Sequence, residues 1–269
     1  DFIAGAGEVY SRNGYDMNLT VVPDIEEERV YRELAARRSV DGVIVHGPRE
    51  NDPRIALLQQ VGLPFVVHGR AGSGDGGYSW VDVNNQRAFQ RATEFLLDLG
   101  HRNIALINGL ETMDFARRRR EGYLSALSLR AIEHEPNLMT SEEMTEGYGH
   151  RSATKLLHGD NPPTAFLVAS MITAIGVRRA IEGAGLQMGR DVSVVIHDDE
   201  LSYLRNGEDV PIFSATRSSV RLAGQICAEN LLKIIAQPDG PPRQHLLEVD
   251  LTVGQSTASV RRDPKIAQS

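Results

Sequence analysis

Along the 269 residues of this chain, apolar positions alternate between helical spacing and short unbroken runs. Between Arg91 and Leu127 the change is sharpest. Ala92, Phe95, Leu96 and Leu99 recur as on one face of a helix, Gly100 stops that helix, and the run 104–107 predicts a strand buried on both sides. A polar loop follows, then a second helix opening with Arg117–Arg120. The same reading along the chain predicts helices over 2–12, 26–38, 53–61, 85–99, 147–157, 172–184 and 220–236. It predicts strands over 16–22, 41–45, 65–67, 80–83, 165–168, 192–196, 214–216 and 246–251. The glycine-rich stretch Gly72–Gly77 reads as a surface loop.

Hydrophobic strands at regular intervals with helices between them imply an α/β fold of parallel sheets covered on both faces. Two doubly wound lobes fit the length better than one sheet of all these strands. The expected lobes hold 1–83 with 217–247 and 84–214 with 249–260, with crossings near Val83, 215–217 and Glu248. Such crossings would let the lobes close around a ligand.

An apolar content of 41% and a charged content of 24% are those of a globular protein. No run approaches the roughly 18 apolar residues of a membrane span, so no membrane partner is expected. One cysteine, Cys227, excludes an internal disulfide and suits a cytoplasmic location. The net charge of -7 argues against this chain holding DNA by itself.

Several short motifs, in this order and at these separations, carry a resemblance. They are Asp41-Gly42-Val43-Ile44, Gly62-Leu63-Pro64-Phe65-Val66, the Leu99-Gly100-His101-Arg102 corner before Ile104-Ala105, and Arg119 three residues before Gly122. Pro163-Thr164-Ala165-Phe166 and the run from Asp191 to Asp199 complete the set. Together they resemble the effector-binding domain of the LacI/GalR family of bacterial repressors. The stretch His197–Leu204 is similar to the family's regulators of α-glucoside utilisation. Departures stand at Ser170-Met171, at Ile196-His197 and at Gly254.

The resemblance implies a periplasmic-binding-protein type I-like fold with a ligand cleft between the lobes. It implies a homodimer, with helix 2–12 (Phe2, Ile3, Glu8, Val9) and Leu201–Leu204 contributing, although the latter could simply cover their own core. Operator DNA would be reached only through an N-terminal helix-turn-helix headpiece absent from this chain. A hinge helix and a first core strand would also precede residue 1.

Ligands in open α/β sheets bind beyond the carboxyl ends of strands, which directs attention there. Asp198 follows a buried strand, where a carboxylate needs donors; sugar hydroxyls would supply them, as would a helix N-terminus or an internal ion pair. Arg117, Arg118 and Arg120 read as solvated charges. The resemblance assigns the effector grip to Arg119, whose planar fork suits paired oxygens. His46, His68 and Arg70 end two strands of the first lobe and read equally as ligand contacts or as loop residues bonded to backbone. By resemblance, Ser170 takes an asparagine's place and Met144 that of an aromatic platform. Asp114 and Phe115 fall in the loop before Arg119. Phe115 could stack on a sugar face or act in the core or a lid, and Trp80 could stack in the cleft or pack between lobes.

No nucleophile elbow, P-loop or metal-ligand spacing appears, so neither an enzyme nor a cofactor or metal is expected. Three readings remain: the sensing core of a transcriptional regulator that takes a mono- or disaccharide, a sugar-binding protein of an ABC transporter with the same fold, and a small-molecule hydrolase, for which the sequence offers no nucleophile.

Overall fold

The computed structural model describes residues 1–72 and 76–260, apart from the side chain of residue 24. In chain order the elements are α1 (Phe2–Arg12), α2 (Glu27–Arg37), β1 (Val43–His46), α3 (Pro53–Val61), β2 (Phe65–His68) and β3 (Trp80–Val83). Next come α4 (Asn85–Asp98), β4 (Ile104–Asn108), α5 (Asp114–Leu129), β5 (Met139–Ser141), α6 (Glu146–Leu157) and β6 (Ala165–Val168). The chain continues with α7 (Met171–Gly183), β7 (Ser193–Asp198), β8 (Ser214–Arg217), α8 (Val220–Ala236), β9 (Gln244–Leu247) and β10 (Asp250–Thr252).

Two compact units result. The first holds Asp1–Asn84, Thr112–Phe115 and Ser219–Glu248; the second holds Asn85–Glu111, Ala116–Ser218 and the chain from Val249 onward. In the first, the sheet order β1-β2-β3-β9 is parallel throughout. One face is covered by α1 and α8 around Ala6, Val66, Val81 and Cys227, the other by α2 and α3 around Val45, Leu58 and Val67. In the second, the order is β10-β8-β7-β6-β4-β5, parallel except for β10, which runs antiparallel to β8. Every residue of β4, β6 and β7 is buried, as expected of strands covered on both faces.

Local signals place the helix ends. Asp52 accepts from the Arg54 amide ahead of Pro53 at the start of α3, Thr145 caps α6 through the Tyr148 amide, and Ser219 caps α8 through Leu222. After α4, Gly100 turns the chain with φ 96°. The next residue, His101, is buried and bridges Thr164 and Ser193, each at 2.9 Å, so the Gly-His corner ties a helix end to two neighbouring strands.

Two expectations are corrected. No strand forms over 16–22: residues 15–23 take neither helix nor strand conformation, and Leu19 and Val21 are exposed. Alternating polarity needs a neighbour to hydrogen-bond, and β1, the nearest strand in sequence, pairs only with β2 among the described strands. The strand expected over 246–251 is two, β9 in the first sheet and β10 in the second, because alternation tells which way side chains face and not which strand supplies the hydrogen bonds. The second sheet also gains a short, half-exposed edge strand, β5, with too few apolar positions to announce it. Part of the loop Gly72–Gly77 lies outside the described residues.

Helix pairs approach through glycine. A Cβ on Gly5 would meet the Arg221 carbonyl at 2.1 Å and one on Gly224 the Phe2 carbonyl at 2.2 Å, which locks α1 against α8. In the second unit Gly149 faces the Thr173 carbonyl and Gly176 the Glu146 carbonyl, each at 2.0 Å, locking α6 against α7. Gly183, on the same α7, has nothing within 4 Å of such a Cβ. The same substitution should therefore have opposite effects. Gly176→Ala should destabilise by about 1–3 kcal/mol through overpacking, whereas Gly183→Ala should be neutral or add up to about 1 kcal/mol. Urea unfolding midpoints check this; equal midpoints would contradict the close crossing.

Candidate functional site

The carboxyl ends of β6 and β7 gather the principal candidates of the second unit. Arg119 lies in the second turn of α5 and is buried. Its Nε donates to Asn85 Oδ1 at 2.7 Å, its Nη1 donates to the Ala169 carbonyl at 2.8 Å, and its guanidinium stands over the Phe89 ring at 5.1 Å. Asn85 and Phe89 lie one turn apart at the start of α4, so one guanidinium ties two helix starts to a strand end. The Ala169 amide in turn donates to Ile107 at the end of β4.

Asp198 is the buried last residue of β7. Its Oδ1 accepts from the Glu200 amide at 2.9 Å, and Arg217 Nε stands 3.8 Å from its Oδ2. The turn needs Glu200 at φ 54°, an uncommon conformation for a residue with a side chain and the kind of strain found where a carboxylate must be aimed. Of the two alternatives weighed for Asp198, the helix N-terminus is not realised, since the Glu200 amide belongs to a turn and no helix follows before β8, whereas the ion pair is partly realised by Arg217. Ser170 is engaged as the N-cap of α7, accepting from the Thr173 amide at 3.3 Å and contacting Thr173 Oγ1 at 2.9 Å. Met144 is half-buried between β5 and α6.

Sequence reasoning missed His197, which is wholly enclosed beside this cluster. Its Nδ1 meets Thr216 Oγ1 and its Nε2 meets Ser218 Oγ, both at 3.1 Å, with Asp199 at 3.4 Å from Nε2. Burial first, then the Arg119 charge, hold its pKa below the ordinary value, against the opposing pull of Asp199 and Asp198. The signal available in the sequence was a histidine inside an otherwise apolar buried strand, next to Asp198. Asn85 carried no such signal, being an ordinary residue for a helix start.

In the first unit, His46 and His68 end neighbouring strands and face each other, Nδ1 to Nδ1, at 2.8 Å. The Phe2 ring meets His46 edge-on at 5.3 Å and lies tilted against His68 at 4.5 Å. Arg70 is bound to Asp82 at 2.7 Å and lies over Trp80 at 4.9 Å, so Trp80 is a half-buried platform for an arginine. Asp114 is buried; its carboxylate accepts from the Gly72 amide at 3.2 Å and its own amide donates to Pro48 at 3.1 Å.

Two corrections concern α5. The helix opens at Asp114, so Asp114 and the half-buried Phe115 belong to its first turn and not to a loop, since an aspartate is favoured at a helix start. Arg118 is buried and not a solvated charge, because it shares the inward face of α5 with Arg119 and Gly122, whose Cβ would strike the Gln86 carbonyl of α4. Arg117 pairs with Glu121, and Arg120 lies 3.3 Å from Glu111.

No group of three or more histidine, cysteine or carboxylate residues suited to a metal occurs among the described residues. The site can hold uncharged polar groups through fixed, partly satisfied donors and acceptors. Its enclosed imidazole sets a pH limit. A histidine whose folded pKa lies below its unfolded value of about 6.5 favours folding only as the neutral form. Stability should be intact above that pH and fall as pH drops below it. His197→Phe should lose less stability on acidification than the parent, as measured by urea midpoints across that window; parallel losses would contradict a buried neutral His197.

Comparison with known proteins gives this geometry its context. Residues 93–257 match the family model of the periplasmic binding protein-like domain. The HTH-type transcriptional regulator AglR of Rhizobium meliloti (strain 1021) is 40% identical over 258 residues, 96% of this chain and 72% of that protein. The HTH-type transcriptional regulator CelR of Thermobifida fusca is 30% identical over 256 residues, 94% of this chain and 74% of that protein. Among solved structures, the transcriptional regulator CelR–cellobiose complex is similar with a TM-score of 0.84 at 28% identity, covering 95% of this chain and 77% of that one. This chain belongs to the LacI family of transcriptional regulators, of which it carries the periplasmic binding protein-like, effector-binding part.

Proposed function

We propose that this chain senses a neutral mono- or disaccharide and has no catalytic activity. Arg119 and Asp198 of the second unit are the main contacts, and His46, His68 and Arg70 of the first are further ones. The observation that carries this reading is the buried Arg119, held by Asn85, Ala169 and Phe89 at a strand end, where open α/β sheets take ligands. Support comes from the similarity to a regulator solved with cellobiose. The resemblance of the stretch His197–Leu204 to the family's regulators of α-glucoside utilisation favours an α-glucoside. Ser170, Asp114, Phe115, Trp80 and Met144 are further candidates. Trp80 already carries the Arg70 guanidinium; Phe115, half-buried in the first turn of α5, is the aromatic proposed to stack on a sugar face.

As a transcriptional regulator the protein would act in the cytoplasm, with the sugar biasing the orientation of its units and, through an N-terminal helix-turn-helix domain, the affinity for operator DNA. A charged hydrogen bond contributes about 1.5–3 kcal/mol. Arg119→Ala and Asp198→Asn should each weaken binding about ten- to a hundredfold. Calorimetry with a sugar panel on the parent and both variants, with thermal unfolding as a control for folding, is the direct test. A sugar that binds all three proteins alike would place the site elsewhere.

We also propose a homodimer. Ile3 on α1 is exposed, as is Tyr203, whereas Val9 is buried in its own core and Leu204 packs beneath the second sheet, so the last two are not available to a partner. Sedimentation at micromolar concentration should give twice the chain's mass, and Ile3→Glu should shift the equilibrium towards the monomer. A parent protein that stays monomeric would overturn this.

A further inference from the structure

At the carboxyl edge of the second sheet, β7 and β8 end side by side, and their parallel register sets Asp198 opposite Arg217. Successive side chains of a strand point to opposite faces, so register partners share one. His197 and Thr216 show the alternation, since their side chains meet on the other face, towards Phe89. Asp198 and Arg217 therefore stand together on the face that α6 and α7 cover further down, where Ile196 and Ala215 lie in the core.

Two carboxylates compete for this guanidinium, and Glu200 wins. Its Oε1 lies 2.6 Å from Arg217 Nη2, whereas Asp198 Oδ2 lies 3.8 Å from Arg217 Nε, beyond hydrogen-bonding reach. The turn at Glu200, with φ 54°, thus does two things. Its amide fixes Asp198 through Oδ1 at 2.9 Å, and its side chain draws the guanidinium away from Oδ2. Among the described residues nothing donates a hydrogen bond to Asp198 Oδ2, although that side chain is only 5% exposed. A carboxylate oxygen so enclosed needs a donor. On the other side of the gap, Arg217 Nε is enclosed without a hydrogen-bond partner, and Nη1 donates to none of the described residues, while the side chain as a whole is 41% exposed.

Had the fork closed on Asp198, both groups would be satisfied and neither could select a ligand. Held apart, they offer an acceptor beside a donor. A carboxylate only accepts and a guanidinium only donates, so together they assign opposite roles to two neighbouring hydroxyls. Resting on the sugar-sensing reading above, we propose that Arg217 is a specificity-determining residue of that site, reading with Asp198 two adjacent hydroxyls of one sugar ring. The first hydroxyl donates to Asp198 Oδ2, the second accepts from Arg217, and Glu200 keeps the guanidinium off Asp198. A uronate fits worse than a neutral sugar, because its charge would meet the carboxylates of Asp198 and Glu200.

Calorimetry on the parent chain with glucose, maltose, trehalose and sucrose identifies the tightest binder, and the monodeoxy analogues of that sugar locate the two hydroxyls. Removing either of two adjacent hydroxyls should cost the parent about tenfold in affinity. Arg217→Met keeps the length of the stem without the donor. It should bind the intact sugar about tenfold more weakly and no longer distinguish it from one of those two analogues, while still rejecting the other. Arg217→Lys restores a cationic donor and should recover part of the lost discrimination. A role confined to structure would weaken the sugar and all its analogues by one factor. A parent indifferent to every single deoxygenation, or Arg217→Met with the parent's ratios between sugar and analogues, would overturn this proposal alone. A parent that binds none of the four sugars would overturn the sensing reading and this proposal with it.

Discussion

A guanidinium cannot shed its charge, so burying Arg119 obliges its surroundings to supply acceptors in fixed places. Asn85 at the start of α4 and the Ala169 carbonyl at the end of β6 meet that obligation, and the Phe89 face covers the plane of the fork. Removing a partner from such a buried charge typically costs about 3–5 kcal/mol. Positions at the carboxyl edge of the second sheet are therefore mutually dependent. His197 and Asp198 lie within the same field, one held neutral and the other fixed by its turn and by Arg217.

The rest of the architecture keeps that edge rigid. Strands buried on both faces leave no room for slippage, because a shift of one residue would exchange every side chain between the two faces. Helices that touch backbone to backbone through Gly5 with Gly224 and Gly149 with Gly176 cannot slide without collision. His101 anchors the end of α4 to two strands by side-chain bonds. Charged and polar groups at the strand ends are thus presented by a frame whose own degrees of freedom are largely spent, as preorganised binding requires.

Much of this was legible in the sequence, and the exceptions have physical reasons. The helices over 2–12, 53–61 and 220–236 and the strands 80–83 and 165–168 have the bounds that spacing and end signals predict, because capping and periodicity are local. The segment 16–22 has the alternation of a strand without a partner, and hydrogen bonding between strands is not local. The break between β9 and β10 was hidden for the same reason. At the candidate site, the placement of Asp198 at the end of a buried strand was legible from position, and Arg119 was singled out by the family resemblance. His197, Asn85 and Asp82 were not, since their roles arise from which strand or helix lies beside them. Arg118 shows the limit of charge runs as a guide: four consecutive arginines wrap a helix, and some must point inward.

Cys227 sits in α8 with its thiol wholly buried, and burial pushes its pKa far upward, so the nucleophilic thiolate is scarcely formed. Since no other cysteine exists in the 269 residues, the folded chain should react only slowly with maleimides and similar reagents. A single thiol introduced at an exposed position would then carry a fluorophore without competition from the native one. The chain thereby provides its own low-background scaffold for an optical sensor of its effector, and slow labelling of Cys227 itself would report how often the core of the first unit opens.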